Sequence, residues 1–344
     1  MRIVFLCNSF WPNIGGAELV CKDIVDTLSQ QHDVTVITQP TPLSRSNSEY
    51  NIVELKAVTS YSIMKNLGST LDEVAPDLFI SFGYGKHFSD FTGKFAKKRG
   101  KPFIFMPCGD FHTNKDDFKK LAYGKLMGWK SFENASKIIT ATEWEKNCWI
   151  GNYGTPEEKF KVIPYNLPKD FNKINIIEPK IKKDYYLYIG RTGPNKKIEK
   201  MIEGYIKSGT KKRLVIAGKG TENLEISNKQ ISVLGPISEN IKKILIKNAR
   251  AVVFPSSYES FGMVLLEADA FNTPYFMSNI PPFNELAPKN RYIFENTPKS
   301  IANVFKIYDK GKLSCPKITV LNFKKALLDV VEEYENSDVL SKRC

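Results

Sequence analysis

A repeating strand-then-helix pattern constrains this chain more than any single residue does. Residues 3–7 (Ile-Val-Phe-Leu-Cys) are an apolar run, and 17–30 then shows helical spacing at Leu19, Val20, Ile24 and Leu28. Further apolar runs follow at 33–38, 77–82, 102–106, 137–141 and 160–164, with a helical pattern over 88–100. The alternation restarts at 185–190 and continues at 213–217, 231–235, 251–254 and 274–278, with helical patterns over 197–205 and 238–248. Short β-branched and aromatic runs separated by helix-length segments specify parallel sheets with crossover helices. No repeat of roughly 20–50 residues occurs, which excludes a solenoid.

With 344 residues, the chain exceeds the usual size of one domain. We expect a first α/β domain over 1–168, a polar, lysine-rich linker over 169–183, and a second α/β domain over 184–318. An amphipathic helix and tail over 319–344 follow, with Leu321, Phe323, Ala326, Leu327, Val330 and Val331 on the apolar face. No stretch approaches the roughly 20 apolar residues of a membrane span, and the first apolar run is shorter than a secretion signal needs. The expected setting is therefore cytoplasmic. Six scattered cysteines without a CxxC pair, and three histidines without ligand spacing, give no zinc signature.

The charge is unevenly spread. Residues 1–165 hold 20 Lys and Arg against 18 Asp and Glu, whereas 166–344 hold 30 against 19. Within the first half, 86–130 carries 11 basic against 4 acidic residues, interleaved with Phe88, Phe91, Phe95, Phe103, Phe111, Tyr123 and Trp129. Such an excess fits anionic partners: phosphates, an anionic membrane surface touched peripherally, or nucleic acid. It also fits a solvated lysine surface over an aromatic core.

Two loops carry candidate chemistry. The run 251–254 ends at Pro255, and a polar turn with Gly262 leads into an apolar helix that the pattern extends to about Asn272. A strand, a glycine turn and a helix N-terminus make an anion site. Glu259 lies in the turn and Glu267, eight residues on, about two turns into the helix. In the other loop, Arg191 follows a strand and Lys196 precedes a helix, a pairing of cations that suits a diphosphate. Near the N-terminus, Gly15 and Gly16 stand between a strand and a helix, where open α/β sheets contact ligands.

In order and spacing, Gly190-Arg191-x4-Lys196, Val215-Ile216-Ala217-Gly218-x-Gly220, Leu234-Gly235 and Pro255-Ser256-x2-Glu259-Ser260-Phe261-Gly262-x4-Glu267-Ala268 resemble the retaining glycosyltransferases of the GT-B fold, family GT4, with its E-x7-E motif. Pro12-x2-Gly15-Gly16-Ala17-Glu18, Ile163-Pro164-x-Asn166 and Asn284-Glu285 are similar too, so the resemblance spans about 1–295. It implies two Rossmann-like domains facing a central cleft, acceptor side first and donor side second, with the C-terminal helix crossing back to the first.

The resemblance also implies roles. Arg191 and Lys196 would hold the diphosphate of a nucleotide-sugar donor, a UDP-sugar foremost. Backbone amides of Phe261, Gly262 and Met263, with neighbouring Ser260, would complete the cradle. Glu267 would take ribose hydroxyls, Glu259 the transferred sugar, and Pro236 and Ile237 the base. Gly16 would approach the phosphate from the first domain. No metal or other cofactor is implied, and no Asp-x-Asp pair occurs. Attack on the front face of the sugar, with the leaving phosphate helping to remove the acceptor proton, would retain configuration.

The chain departs from the family pattern at Cys108, where many relatives carry a histidine facing the sugar. His112, four residues on, is the candidate for that contact, and Cys108 reads as a small filler. Lys197 also stands where relatives often have glycine. The implied acceptor is a glycan or lipid-linked glycan of a cell-surface polysaccharide or glycolipid. A nucleic-acid glycosyltransferase is the competing, less favoured reading. A nucleotide-sugar epimerase would need an acid/base pair that the sequence does not show.

Overall fold

The computed structural model describes residues 1–13, 15–43, 50–56, 60–85, 87–108, 127–168, 171–174, 183–311, 317–319 and 322–341. Its contacts divide the chain into two compact units, Met1–Asn166 with Val320–Cys344, and Leu167–Thr319. His112 and most of the basic segment's second half lie outside the described residues, as does much of the 169–183 segment.

The first unit holds a parallel sheet of seven strands: β1 (Arg2–Cys7), β2 (Asp33–Thr38), β3 (Asn51–Glu54), β4 (Leu78–Phe82), β5 (Phe103–Met106), β6 (Lys137–Thr140) and β7 (Phe160–Val162). Their order is β3-β2-β1-β4-β5-β6-β7. β1 runs at the centre, Leu6 paired with both Ile37 and Ser81, and is apolar on both faces as a covered parallel strand must be. β3 is missing from the sequence reading because Asn51-Ile52-Val53-Glu54 is a short edge strand, half polar and only partly buried. Helix Glu143–Tyr153 starts as its sequence specifies, with Thr142 accepting the Glu145 amide at 3.1 Å.

The C-terminal helix, Phe323–Ser341, belongs to this unit. Phe323, Leu327, Val330 and Val331 are buried, and Phe323 meets the Tyr165 ring edge-on with centroids 6.0 Å apart. Lys324 reaches Asp23 of helix Gly16–Leu28 at 3.4 Å, and Lys137 lies 3.7 Å from Glu333.

The second unit holds six parallel strands: β8 (Tyr186–Ile189), β9 (Leu214–Ala217), β10 (Ile231–Gly235), β11 (Ala251–Phe254), β12 (Tyr275–Ser278) and β13 (Ile293–Phe294), ordered β10-β9-β8-β11-β12-β13. Helices Ile198–Ser208 and Pro298–Lys310 cover one face. There Tyr186, Phe276, Tyr292, Phe305 and Tyr308 interlock, mostly edge-to-face. Helix Pro298–Lys310 is an element beyond those expected from the sequence; Thr297 caps the Ser300 amide and Pro298 sits in its first turn.

Candidate functional site

The strand order of the second sheet places the site. β8 and β11 are neighbours, but the chain leaves β8 toward β9 on one side and β11 toward β12 on the other. Ligands bind at such a switch point, outside the carboxyl ends of the strands. The loops leaving there are 190–197 and 255–262, which carry Arg191, Lys196 and Glu259.

These loops are bonded to each other. The Ser257 amide donates to the Asn195 carbonyl at 2.7 Å, and Asn195 Nδ2 donates to the Tyr258 carbonyl at 3.3 Å. Lys196 Nζ donates to Glu259 Oε1, which also accepts from Ser256 Oγ at 2.7 Å. A Lys–Glu–Ser cluster thus spans the switch point. Arg191 is exposed and has no ion pair among the described residues. Tyr188 braces its loop, donating to the Arg191 carbonyl at 3.0 Å. Burial, with the Glu259 charge behind it, pushes the Tyr188 phenol far above its ordinary pKa, so it remains a donor.

Two glycines are required by geometry. Gly218, after β9, has φ +133°, and a Cβ there would lie 2.1 Å from the Gly190 carbonyl oxygen. That close approach bonds the loop ends together, Gly190 N to Ala217 O at 3.0 Å and Gly218 N to Gly235 O at 2.8 Å. Gly262 has φ +106°, and a Cβ there would meet the Phe283 ring at 2.6 Å. It opens helix Met263–Ala270, whose N-terminus no side chain caps. First-turn amides at an uncapped N-terminus attract an anion. Lys197 has φ +46° just before helix Ile198–Ser208, a backbone conformation that favours glycine.

Glu267 lies one turn into its helix, not two, because the helix begins only at Met263. It is 1% exposed. Its Oε1 accepts from Lys242 Nζ at 2.7 Å, and Lys242 also lies 2.8 Å from Glu239 Oε2. Burial raises the Glu267 pKa while Lys242 opposes the rise. Pro236 and Ile237 follow β10 and lead into helix Glu239–Asn248, which carries Lys242.

The described chain matches two family models, "Glycosyl transferases group 1" over 170–309 and "Glycosyltransferase Family 4" over 14–165. Between them they take in every strand after β1 and both loops of the site. The chain belongs to the GT4-type glycosyltransferases of the GT-B fold. It is 30% identical to an O-antigen chain mannosyltransferase of Salmonella typhimurium over 181 residues, half of each chain. It is 28% identical to an uncharacterized glycosyltransferase of Methanocaldococcus jannaschii, over 88% of this chain and 87% of that one. Its fold matches sucrose-phosphate synthase from Thermosynechococcus elongatus with a TM-score of 0.75 at 14% identity, covering 98% and 99% of the two chains.

In this glycosyltransferase, Arg191, Lys196, Glu259, Ser260, Phe261, Gly262 and Met263 fall on the two bonded loops and the helix they lead into. Gly16 opens a helix of the first unit, Gly16–Leu28. Cys108 follows β5 with φ +33° and is half-buried, near enough to Tyr165 to help raise that buried phenol's pKa, although burial is the main cause. In the basic segment, Phe88 and Phe103 are core, and Phe91 and Phe95 pack against it. Trp129 is exposed, with the Lys130 ammonium 5.9 Å from its ring centroid. Sequence reasoning missed Ser256 and Lys242. Ser256 was visible as part of the motif but without a role. Lys242, three residues after Glu239 in a helix, read as half of a solvated pair.

Proposed function

We propose that this glycosyltransferase moves a hexose from a nucleotide-sugar donor to a glycan or lipid-linked glycan acceptor, retaining the anomeric configuration and without a metal ion. The observation that carries the reading is the cation-rich switch point, with Arg191 unpaired among the described residues and Lys196 beside Glu259. When the bond between the sugar C1 and the diphosphate oxygen breaks, negative charge grows on the leaving phosphate. Arg191, Lys196 and the uncapped helix end at Gly262 meet that charge with fixed positive potential. Lys196 then exchanges part of its pairing with Glu259 for the phosphate, which leaves Glu259 to accept sugar hydroxyls. The acceptor hydroxyl attacks C1 on the face the phosphate leaves, and its proton passes to the leaving phosphate oxygen.

Glu267 accepts ribose hydroxyls, and Pro236 and Ile237 line the base. The relative named as an O-antigen chain mannosyltransferase supports a surface-glycan acceptor and a mannosyl donor, so GDP-mannose stands beside the UDP-sugars as a candidate. Among the described residues no helix is long and apolar enough to cross a membrane. The exposed Trp129 and Lys130 support peripheral contact with a lipid surface. The test is transfer from each nucleotide-sugar to a polyprenyl-diphosphate-linked oligosaccharide, with the product anomer read by NMR. Release of nucleoside diphosphate with a retained anomer supports the reading, and an inverted anomer or no transfer from any donor contradicts it.

A further inference from the structure

The pair formed by Glu267 and Lys242 has one member too few for its burial. Glu267 has two carboxylate oxygens, and Lys242 takes only Oε1, at 2.7 Å. No described protein group donates to Oε2, which has almost no accessible surface. A buried carboxylate oxygen left without a donor costs on the order of 1–3 kcal/mol, so its presence needs a reason. Lys242 is itself tightly held. Its side chain is 12% exposed, it lies 2.8 Å from Glu239 Oε2, and its ammonium sits 5.8 Å from the centroid of the Phe171 ring. Phe171 in turn packs on Phe271, just beyond the helix that carries Glu267, with centroids 5.9 Å apart.

We infer that Lys242 is a positioning residue for the donor site: it fixes Glu267 through Oε1 and keeps Oε2 for the vicinal hydroxyls of the donor's ribose. The inference rests on the donor reading above and adds to it the residue that sets how the ribose is recognised. Because Oε2 is enclosed, a hydroxyl reaches it only as its lining shifts, and the clamp holds the carboxylate in place through that shift. The charges facing Glu267 are Lys242, Glu239 and the more distant Lys243. Burial pulls the Lys242 pKa down, but Glu267 and Glu239 outweigh it and hold the ammonium charged. Without Lys242, the burial of Glu267 is largely unopposed and its carboxyl takes up a proton at higher pH.

The experiment measures binding of UDP and GDP and of their 2′,3′-dideoxy counterparts by calorimetry from pH 5.5 to 8.5, on wild type, K242M, K242Q and K242R. Losing a charge-assisted hydrogen bond corresponds to about 10- to 100-fold in affinity. Wild type should therefore prefer the ribonucleotide by about that factor, with little dependence on pH. K242M and K242Q should lose most of the preference while binding the dideoxy compound as wild type does. Their remaining ribonucleotide affinity should rise with pH as Glu267 ionises, and K242R should restore both preference and profile. K242Q gives the same readout if K242M does not fold. A neutral variant that folds and keeps the wild-type preference and a flat profile overturns the positioning role alone. Wild-type protein that binds neither nucleotide overturns the donor reading and this inference together.

Discussion

Arg191 and Lys196 stand on one loop in different states. Lys196 is already engaged, its ammonium held by a glutamate that Ser256 also holds. Arg191, just beyond β8, makes no ion pair among the described residues, and Tyr188 braces its backbone carbonyl. An uncommitted guanidinium at a switch point is pre-organised for a phosphate and gives up no internal pair on binding. Arg191→Ala should therefore lower kcat/KM for the donor by about 10²–10³-fold, the usual loss for one fixed donor to a developing anion. Its melting temperature should stay close to wild type, because the side chain is exposed. Steady-state kinetics beside a thermal melt checks both halves, and unchanged turnover would remove Arg191 from the site.

At the scale of the element, the site depends on backbone shape as much as on charge. Gly262 and Lys197 both precede a helix in the left-handed region, φ +106° and +46°, but one has no Cβ and the other does. Gly262→Ala adds the left-handed penalty of about 1–2 kcal/mol and a collision with Phe283 of about 1–3 kcal/mol. It should destabilise the protein by roughly 2–5 kcal/mol. Lys197→Gly should do the reverse and stabilise by about 0.5–1 kcal/mol, the left-handed strain relieved less the entropy that glycine costs. Urea denaturation of both variants tests the pair of signs.

What could be read at this scale followed from local rules. The Thr142 cap, the runs that became β1, β4 and β11, and the glycine turn before Met263 are written in neighbouring residues. The Lys242–Glu267 contact joins positions 25 residues apart. Its burial arises because helix Met263–Ala270 is apolar on nearly every side, a tertiary consequence that local sequence does not reveal.

For the molecule as a whole, the strand–helix rhythm specified two parallel sheets, and the family match agrees with that architecture. The sequence did not reveal the ionic network at the amino end of the second sheet. Arg250, with an 8% exposed side chain, reaches Asp184 at 3.1 Å and Asp309 at 3.0 Å. Asp184 also accepts from Lys212, and Asp309 accepts from Thr210 at 2.6 Å. These residues come from separate segments, so only the closed sheet brings them together. Lys212, then Arg250, hold the Asp184 carboxyl below the usual carboxylate range despite partial burial. A depressed carboxyl stabilises the fold above its unfolded pKa of about 4, and that contribution is lost as pH falls through the lower folded value. Asp184→Asn should cost about 0.5–1 kcal/mol at pH 7, discounted because the carboxylate is partly exposed. The difference in melting temperature from wild type should close toward pH 3.

Donor-induced thermal stabilisation tests most directly whether the β8–β11 switch point is a nucleotide-sugar donor site. A ligand that binds only the folded state at 100 times its Kd adds about 2.7 kcal/mol. Wild-type protein should therefore melt several degrees higher with GDP-mannose or one of the UDP-hexoses, and Arg191→Ala with the same compound should not. If no nucleotide-sugar raises the wild-type melting temperature, or Arg191→Ala responds as wild type does, the switch point is not the donor site.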